Sequence, residues 1–122
     1  MKKFRYFNMK KEIFEMKAEV LQALAHPTRL MILDQLKNGG CCVCKLIPKM
    51  GKEQSNISHH LAILRKAGIV ECQRKKKEIY YSLKDKSILN ALNCLDGFIL
   101  RSLAEKGNIL KKIKGDGNLS KG

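Results

Sequence analysis

The chain has 122 residues, enough for one modest hydrophobic core and too few for two. Lysine and arginine outnumber aspartate and glutamate by 25 to 11, a formal net charge of +14. That balance favours a polyanionic partner, nucleic acid first and an anionic membrane surface second, while the lack of any run of about eighteen apolar residues excludes a membrane-spanning helix.

At the N-terminus, Met1, Lys2, Lys3 and Phe4 are followed by Arg5, Asn8, Lys10 and Lys11 where a secretory signal needs its apolar stretch, so a cytoplasmic protein is expected. From Met9 to Leu24 the apolar residues Met9, Ile13, Met16, Val20, Leu21 and Leu24 recur at three- and four-residue steps with charges between them, which predicts a first amphipathic helix. Pro27 suits the first position of a second helix, where its missing N–H costs nothing. That helix runs through Leu30, Ile32, Leu33 and Leu36 and stops at Asn38, Gly39 and Gly40. A third, short helix is expected from Cys42 to Met50, loosened by the internal Pro48 and ended by Gly51.

Residues 54–67 give the clearest helical pattern. Ile57, Leu61, Ile63 and Leu64 form an apolar face, Ser55, Asn56, Ser58, His59, Arg65 and Lys66 a polar one, and Gly68 the stop. Ile69 to Gln73 and Glu78 to Leu83 are β-prone on either side of the run Arg74 to Lys77, a hairpin with a cationic tip. Ile88, Leu89, Ala91, Leu92, Leu95, Phe98, Ile99 and Leu103 predict a last amphipathic helix that Gly107 ends. The expected organisation is therefore one domain over residues 1–106 and a basic, glycine-rich, frayed tail over residues 107–122.

This succession is mainly α with a small β-hairpin, the order a winged helix-turn-helix requires, with the polar-faced helix entering the major groove of double-stranded DNA. Gln54, Ser55, Asn56, Ser58 and His59 can exchange hydrogen bonds with base edges and phosphates. Arg74, Lys75, Lys76 and Lys77 can reach flanking phosphates or the minor groove, which makes affinity salt-dependent. A polar helix face or a basic turn alone is usually a solvated surface; it is their combination with the net charge that points to DNA. Because one such helix reads only a short site, a homodimer with two readers about one helical turn apart is expected, its spare apolar surface supplied by the first and last helices.

Five cysteines, with Cys41, Cys42 and Cys44 inside four residues, suit reduced thiols or metal ligation better than a disulfide framework. Cys72 and Cys94, each alone on an amphipathic element, read more readily as small buried apolar residues. His26, His59 and His60 lack ligand spacing and read as helix-start, DNA-facing and core or boundary residues respectively. With no cofactor loop, paired carboxylates or nucleophile beside a base, no enzyme is expected.

The opening Val20 to Leu33, with Ala25-His26-Pro27-Thr28-Arg29 at its centre, resembles the ArsR/SmtB family of metal-responsive repressors. So do Cys42-Val43-Cys44-Lys45-Leu46, Gln54 to Val70 with its Ser58-His59-His60-Leu61, and Ile79-Tyr80-Tyr81-Ser82-Leu83. The resemblance spans roughly residues 15–100 and implies a dimeric repressor of a resistance or homeostasis operon. In it Ser55, Asn56, Ser58 and His59 read DNA, and the wing surrounds Lys75 to Lys77, where the family often has a glycine.

Cys42-Val43-Cys44 resembles the Cys-Val-Cys of arsenic-, antimony- and cadmium- or lead-sensing members, and soft thiolates suit soft ions. The arsenic sensors' third cysteine aligns with Ile47, so another thiol has to complete the site: Cys41 ranks first, then Cys94, then Cys72. The N-terminal arm lacks the cysteine of the cadmium and lead sensors, and the last helix lacks the aspartate and histidine set of the zinc sensors. Arsenite or antimonite is therefore the first inducer expected, ahead of Cd(II), Pb(II) or Zn(II). Positions i and i+2 of a regular helix point about 200° apart, so a shared ion is expected to unwind the third helix and release DNA. A thiol-redox or persulfide sensor using the same cysteines is the alternative.

Overall fold

The computed structural model describes the backbone of residues 2–117 and the side chains of residues 8–108 and 111–113. The chain divides into two compact units after Lys86. The first holds α1 (Lys2–Leu24), α2 (Pro27–Leu36), β1 (Cys41–Cys42), α3 (Val43–Met50), α4 (Gln54–Lys66), β2 (Val70–Lys75) and β3 (Glu78–Leu83), and the second is the helix α5 (Ser87–Gly117).

Helix α1 begins at Lys2, ahead of the expected Met9, since no proline or glycine in residues 2–8 interrupts it. Helix α2 begins as expected at Pro27. Its N-cap is the extended His26, whose Nδ1 accepts the Thr28 N–H at 3.1 Å and satisfies an otherwise orphaned donor. The core of the first unit is built from Ala23 and Leu24 of α1, Ile32, Leu33 and Leu36 of α2, Leu46 and Met50 of α3, and Ile57, Leu61 and Leu64 of α4, closed by Ile69 and Val70. Each fully buried aliphatic side chain of this kind stabilises the fold by about 1.5–3 kcal/mol.

The end of α4 shows how the sequence fixes the step into the wing. Gly68 adopts φ 76°, its N–H donates to the Arg65 carbonyl at 3.0 Å, and the Ile69 N–H donates to the Leu64 carbonyl at 3.0 Å. This paired closure is the Schellman arrangement, and Ile69 lies buried with Leu64 as its apolar companion. A side chain at position 68 would be strained whatever space surrounded it.

The sheet has three antiparallel strands in the order β1-β3-β2, one more than the expected hairpin. Strand β2 pairs with β3 from Val70↔Leu83 to Lys75↔Glu78, and β1 adds Cys41↔Tyr81 and Cys42↔Tyr80 on the other edge of β3. Two residues are too few to display a strand's alternation, which is why β1 was not legible in the sequence.

The wing turns on Lys76 and Lys77, and Lys76 carries φ 57°, the only positive φ of a non-glycine residue among those described. A two-residue hairpin loop with a positive first position favours glycine there. Lys76→Gly is therefore expected to raise unfolding stability by about 0.5–1 kcal/mol, a Tm gain of a few degrees in a thermal melt. No gain would mean that the turn carries no strain at this position.

Helix α5 corrects one expectation: it does not end at Gly107 but continues to Gly117. An interior glycine costs a helix only about 1 kcal/mol, and after it Leu110, Lys111 and Lys112 are good helix formers with no proline to stop the helix. Part of the expected frayed tail, residues 118–122, lies outside the described residues. Met9, Ile13, Phe14, Met16 and Leu21 of α1, and Leu95, Phe98, Ile99, Leu100 and Leu103 of α5, are all about half exposed or more.

Candidate nucleic-acid interface and thiol centre

Ile57, His60, Leu61 and Leu64, at three- and four-residue steps, turn one face of α4 into the core. Ser55 and His59 then lie opposite the buried face, Asn56 and Ser58 on its two flanks and Gln54 in the first turn, and all five are exposed. The N-cap Glu53 gives no side-chain hydrogen bond to the first turn, whose N–H groups can take a phosphate oxygen. Arg74 and Lys75 end β2, Lys76 and Lys77 form the turn, and all four side chains are exposed. Lys75 lies with its ammonium 5.6 Å from the centre of the Tyr80 ring.

A polar cluster links α4 to the helices behind it. Arg29 of α2 places Nη1 3.2 Å from His60 Nδ1 and donates through Nη2 to the Gln22 carbonyl of α1 at 3.4 Å. The His26 ring lies 4.3 Å from that of His60, tilted by 40°, and the His59 ring stands edge-on to His60 at 5.4 Å. His26 thus starts a helix, His59 is exposed and His60 is buried. Burial first, then His26, Arg29, His59 and Lys52, hold the His60 pKa below the ordinary histidine value of 6.5.

The sign of the resulting pH dependence follows. Below about 6.5 the unfolded chain takes up a proton at residue 60 that the folded chain resists, so this contribution to stability is present above that pH and is lost as pH falls towards the depressed value. Thermal unfolding between pH 7.5 and 5.5 is expected to show Tm falling with acid, and His60→Gln is expected to flatten the slope. An equal slope in the variant would place the acid sensitivity elsewhere.

Cys42 is extended at φ −70°, ψ 141° and is the N-cap of α3, its Sγ accepting the Cys44 N–H at 3.3 Å. Because α3 starts only at Val43, the two sulfurs converge with no unwinding: they are joined as a disulfide, not held apart as the reduced thiols expected, with the Cα atoms 5.2 Å apart. The expected unwinding of α3 is therefore not needed to bring the pair together. Pro48 removes the helix bond that would otherwise reach the Cys44 carbonyl, four residues earlier.

Cys41 is buried and its thiol donates to the Cys42 carbonyl, outside the pair. Cys72 is half-buried on β2, and Cys94 is exposed on α5. The group that joins the pair is a carboxylate the sequence did not single out: the ligand atoms of Cys42, Cys44 and Glu78 all lie within 4.8 Å of one another. Glu78 opens β3, and its Oε2 accepts the Tyr80 hydroxyl at 2.9 Å. That hydrogen bond, and then the carboxylate's charge, raise the Tyr80 pKa. The signal for Glu78 was its position: it lies two residues before Tyr80, the strand partner of Cys42, while Cys44 lies two residues after Cys42 in the first turn of α3. Reading it required knowledge of β1.

A polar-faced helix fixed by its apolar side, followed by a basic three-stranded wing, defines a winged helix-turn-helix DNA-binding protein. Residues 26–71 match the family described as bacterial regulatory protein, arsR family. The chain is 43% identical over 86 residues to an HTH-type transcriptional regulator of Methanocaldococcus jannaschii, covering 70% of this chain and 97% of that protein. It is 47% identical over 76 residues to the HTH-type transcriptional regulator NmtR of Mycobacterium tuberculosis, covering 62% and 63%. A homodimeric winged helix-turn-helix DNA-binding domain from Mycobacterium bovis, solved in solution, superposes with a TM-score of 0.71 at 26% identity, covering 79% of this chain and 89% of that domain. The chain belongs to the ArsR/SmtB family of winged helix-turn-helix transcriptional regulators, a family of DNA-binding proteins and not of enzymes.

Proposed function

We propose that the protein is a cytoplasmic repressor that holds operator DNA as a homodimer and lets go when a thiophilic ion binds the thiolates of Cys42 and Cys44. The observation that carries this reading is the convergence of the two sulfurs at the start of α3, one strand away from the wing. Gln54, Ser55, Asn56, Ser58 and His59 enter the major groove, and Arg74, Lys75, Lys76 and Lys77 hold the flanking backbone. The homodimeric state of the Mycobacterium bovis domain supports a dimer, and the exposed apolar faces of α1 and α5 are the surfaces this reading assigns to it.

A cellular dithiol first reduces the Cys42–Cys44 disulfide, supplying two electrons and two protons and becoming a disulfide itself. Ion binding then displaces both thiol protons and draws on the Cys42 sulfur that caps the Cys44 N–H, so the cap of α3 and the helix beside α4 respond to occupancy. Arsenite or antimonite takes three thiolates, and Cys41 serves as the third once its thiol leaves the Cys42 carbonyl. Cd(II), Pb(II) and Zn(II) need fewer. The regulated genes are those of resistance to, or homeostasis of, the same ion.

The joined sulfurs favour one second reading, a thiol-redox repressor. There the two thiols give up two protons and two electrons to a peroxide or a small disulfide, and the Sγ–Sγ bond forms.

The test is binding of the reduced protein to its own upstream DNA, titrated with arsenite, antimonite, cadmium, lead, zinc and a mild peroxide, alongside Cys42→Ser and Cys44→Ser. Release of the wild type by one soft ion, at least about tenfold in affinity and absent in both variants, is the expected result. Release by peroxide alone replaces ion sensing with redox sensing, and release by neither overturns both.

A further inference from the structure

We infer that when the ion is divalent its third protein ligand is Glu78 and not Cys41, so that Cys42, Cys44 and Glu78 form one divalent-cation site that ties the wing to the start of α3. The inference rests on the proposal that Cys42 and Cys44 bind an ion, and adds the donor, the ion class and the element that responds.

Three observations converge on it. The Glu78 carboxylate lies within 4.8 Å of both sulfurs; once the disulfide is reduced, tetrahedral coordination with metal–sulfur bonds of about 2.3 Å and a metal–oxygen bond of about 2.1 Å needs the sulfurs to part to about 3.8 Å and the carboxylate to approach by about 1 Å. The carboxylate is oriented by a partner outside the site, the Tyr80 hydroxyl, as metal-binding carboxylates usually are. Cys41, the other thiol near enough in sequence, is instead committed to the Cys42 carbonyl.

The donor chemistry selects the ion. Two soft sulfurs with one hard oxygen suit borderline divalent cations such as zinc, cadmium and lead, whereas a trivalent arsenical wants sulfur at all three positions. The set carries three negative charges when ligated, and Lys75, Lys76 and Lys77 stand in the residues just before Glu78, where they offset the surplus over a divalent ion. Glu78 is also the first residue after the turn that reaches DNA. Drawing its carboxylate towards the two sulfurs moves the turn relative to α4, so an ion disturbs DNA binding through the wing without unwinding any helix.

The experiment is titration of the reduced full-length protein with cadmium alone, followed through the sulfur-to-cadmium charge-transfer absorbance, for wild type, Glu78→Gln, Cys44→Ser and Cys41→Ser, with a monosubstituted dithiol-binding arsenical as the control probe. The expected result is a two-thiolate band in wild type, Glu78→Gln and Cys41→Ser, with cadmium affinity at least about tenfold weaker in Glu78→Gln and unchanged affinity of that variant for the arsenical. Equal cadmium affinity in Glu78→Gln, or a three-thiolate band that Cys41→Ser reduces, overturns the assignment of Glu78. A wild type with no thiolate band overturns the ion site itself. Weakened arsenical binding in Glu78→Gln gives the carboxylate a merely structural role and also overturns the assignment.

Discussion

Replacing Asn56 and Ser58 together by alanine is expected to weaken binding to the specific duplex on the order of a hundredfold or more, with almost no change in Tm. Each base-edge contact of this type is worth about 1–3 kcal/mol of discrimination, whereas an exposed substitution away from core and caps changes stability by about 0.5 kcal/mol at most. Both residues are exposed on α4, about 100° to either side of the buried Ile57. The loss should be much smaller on unrelated duplex DNA, where phosphate contacts from the wing dominate and the residual affinity falls steeply with salt. An unchanged specific affinity would place the reading face elsewhere.

Leu61→Ala, on the same helix, is expected to do the reverse. The side chain is 1% exposed in the core, and its truncation should cost about 2–5 kcal/mol of unfolding free energy. Against a total of about 5–15 kcal/mol, that lowers Tm by about ten degrees or more in thermal unfolding. DNA affinity below the melting range should change far less than in the Asn56 and Ser58 variant. A loss of stability under about 1 kcal/mol would mean that α4 is rotated from the orientation described. The pair of experiments tests the two faces of one helix independently.

The legible parts of the fold were those with their own local signal. The apolar steps of residues 54–64, the stop at Gly68, the N1 proline of α2 and the cationic hairpin were each sufficient to place an element. The exposed DNA-facing residues followed once the buried face of α4 was known. What escaped the sequence was non-local or energetically close. Strand β1 exists through its pairing with Tyr80 and Tyr81, and two residues have no periodicity to display. Glu78 approaches the cysteines only through that pairing. Helix α5 passes through Gly107 because the cost of one interior glycine is small beside the helical preference of its neighbours. The cysteine pair was visible as chemistry, but its geometry depended on a boundary one residue away: with Cys42 as N-cap, the divergence expected of positions i and i+2 does not arise.

Coupling between the thiol centre and the DNA face is the central claim, and coupling is reciprocal. The most direct measurement is the affinity of the reduced protein for its releasing ion, cadmium or arsenite, determined for the free protein and for the protein saturated with its upstream duplex. The account predicts that DNA weakens ion binding by the same factor by which the ion weakens DNA binding, about tenfold or more. Equal ion affinity in the free and DNA-bound protein would contradict it.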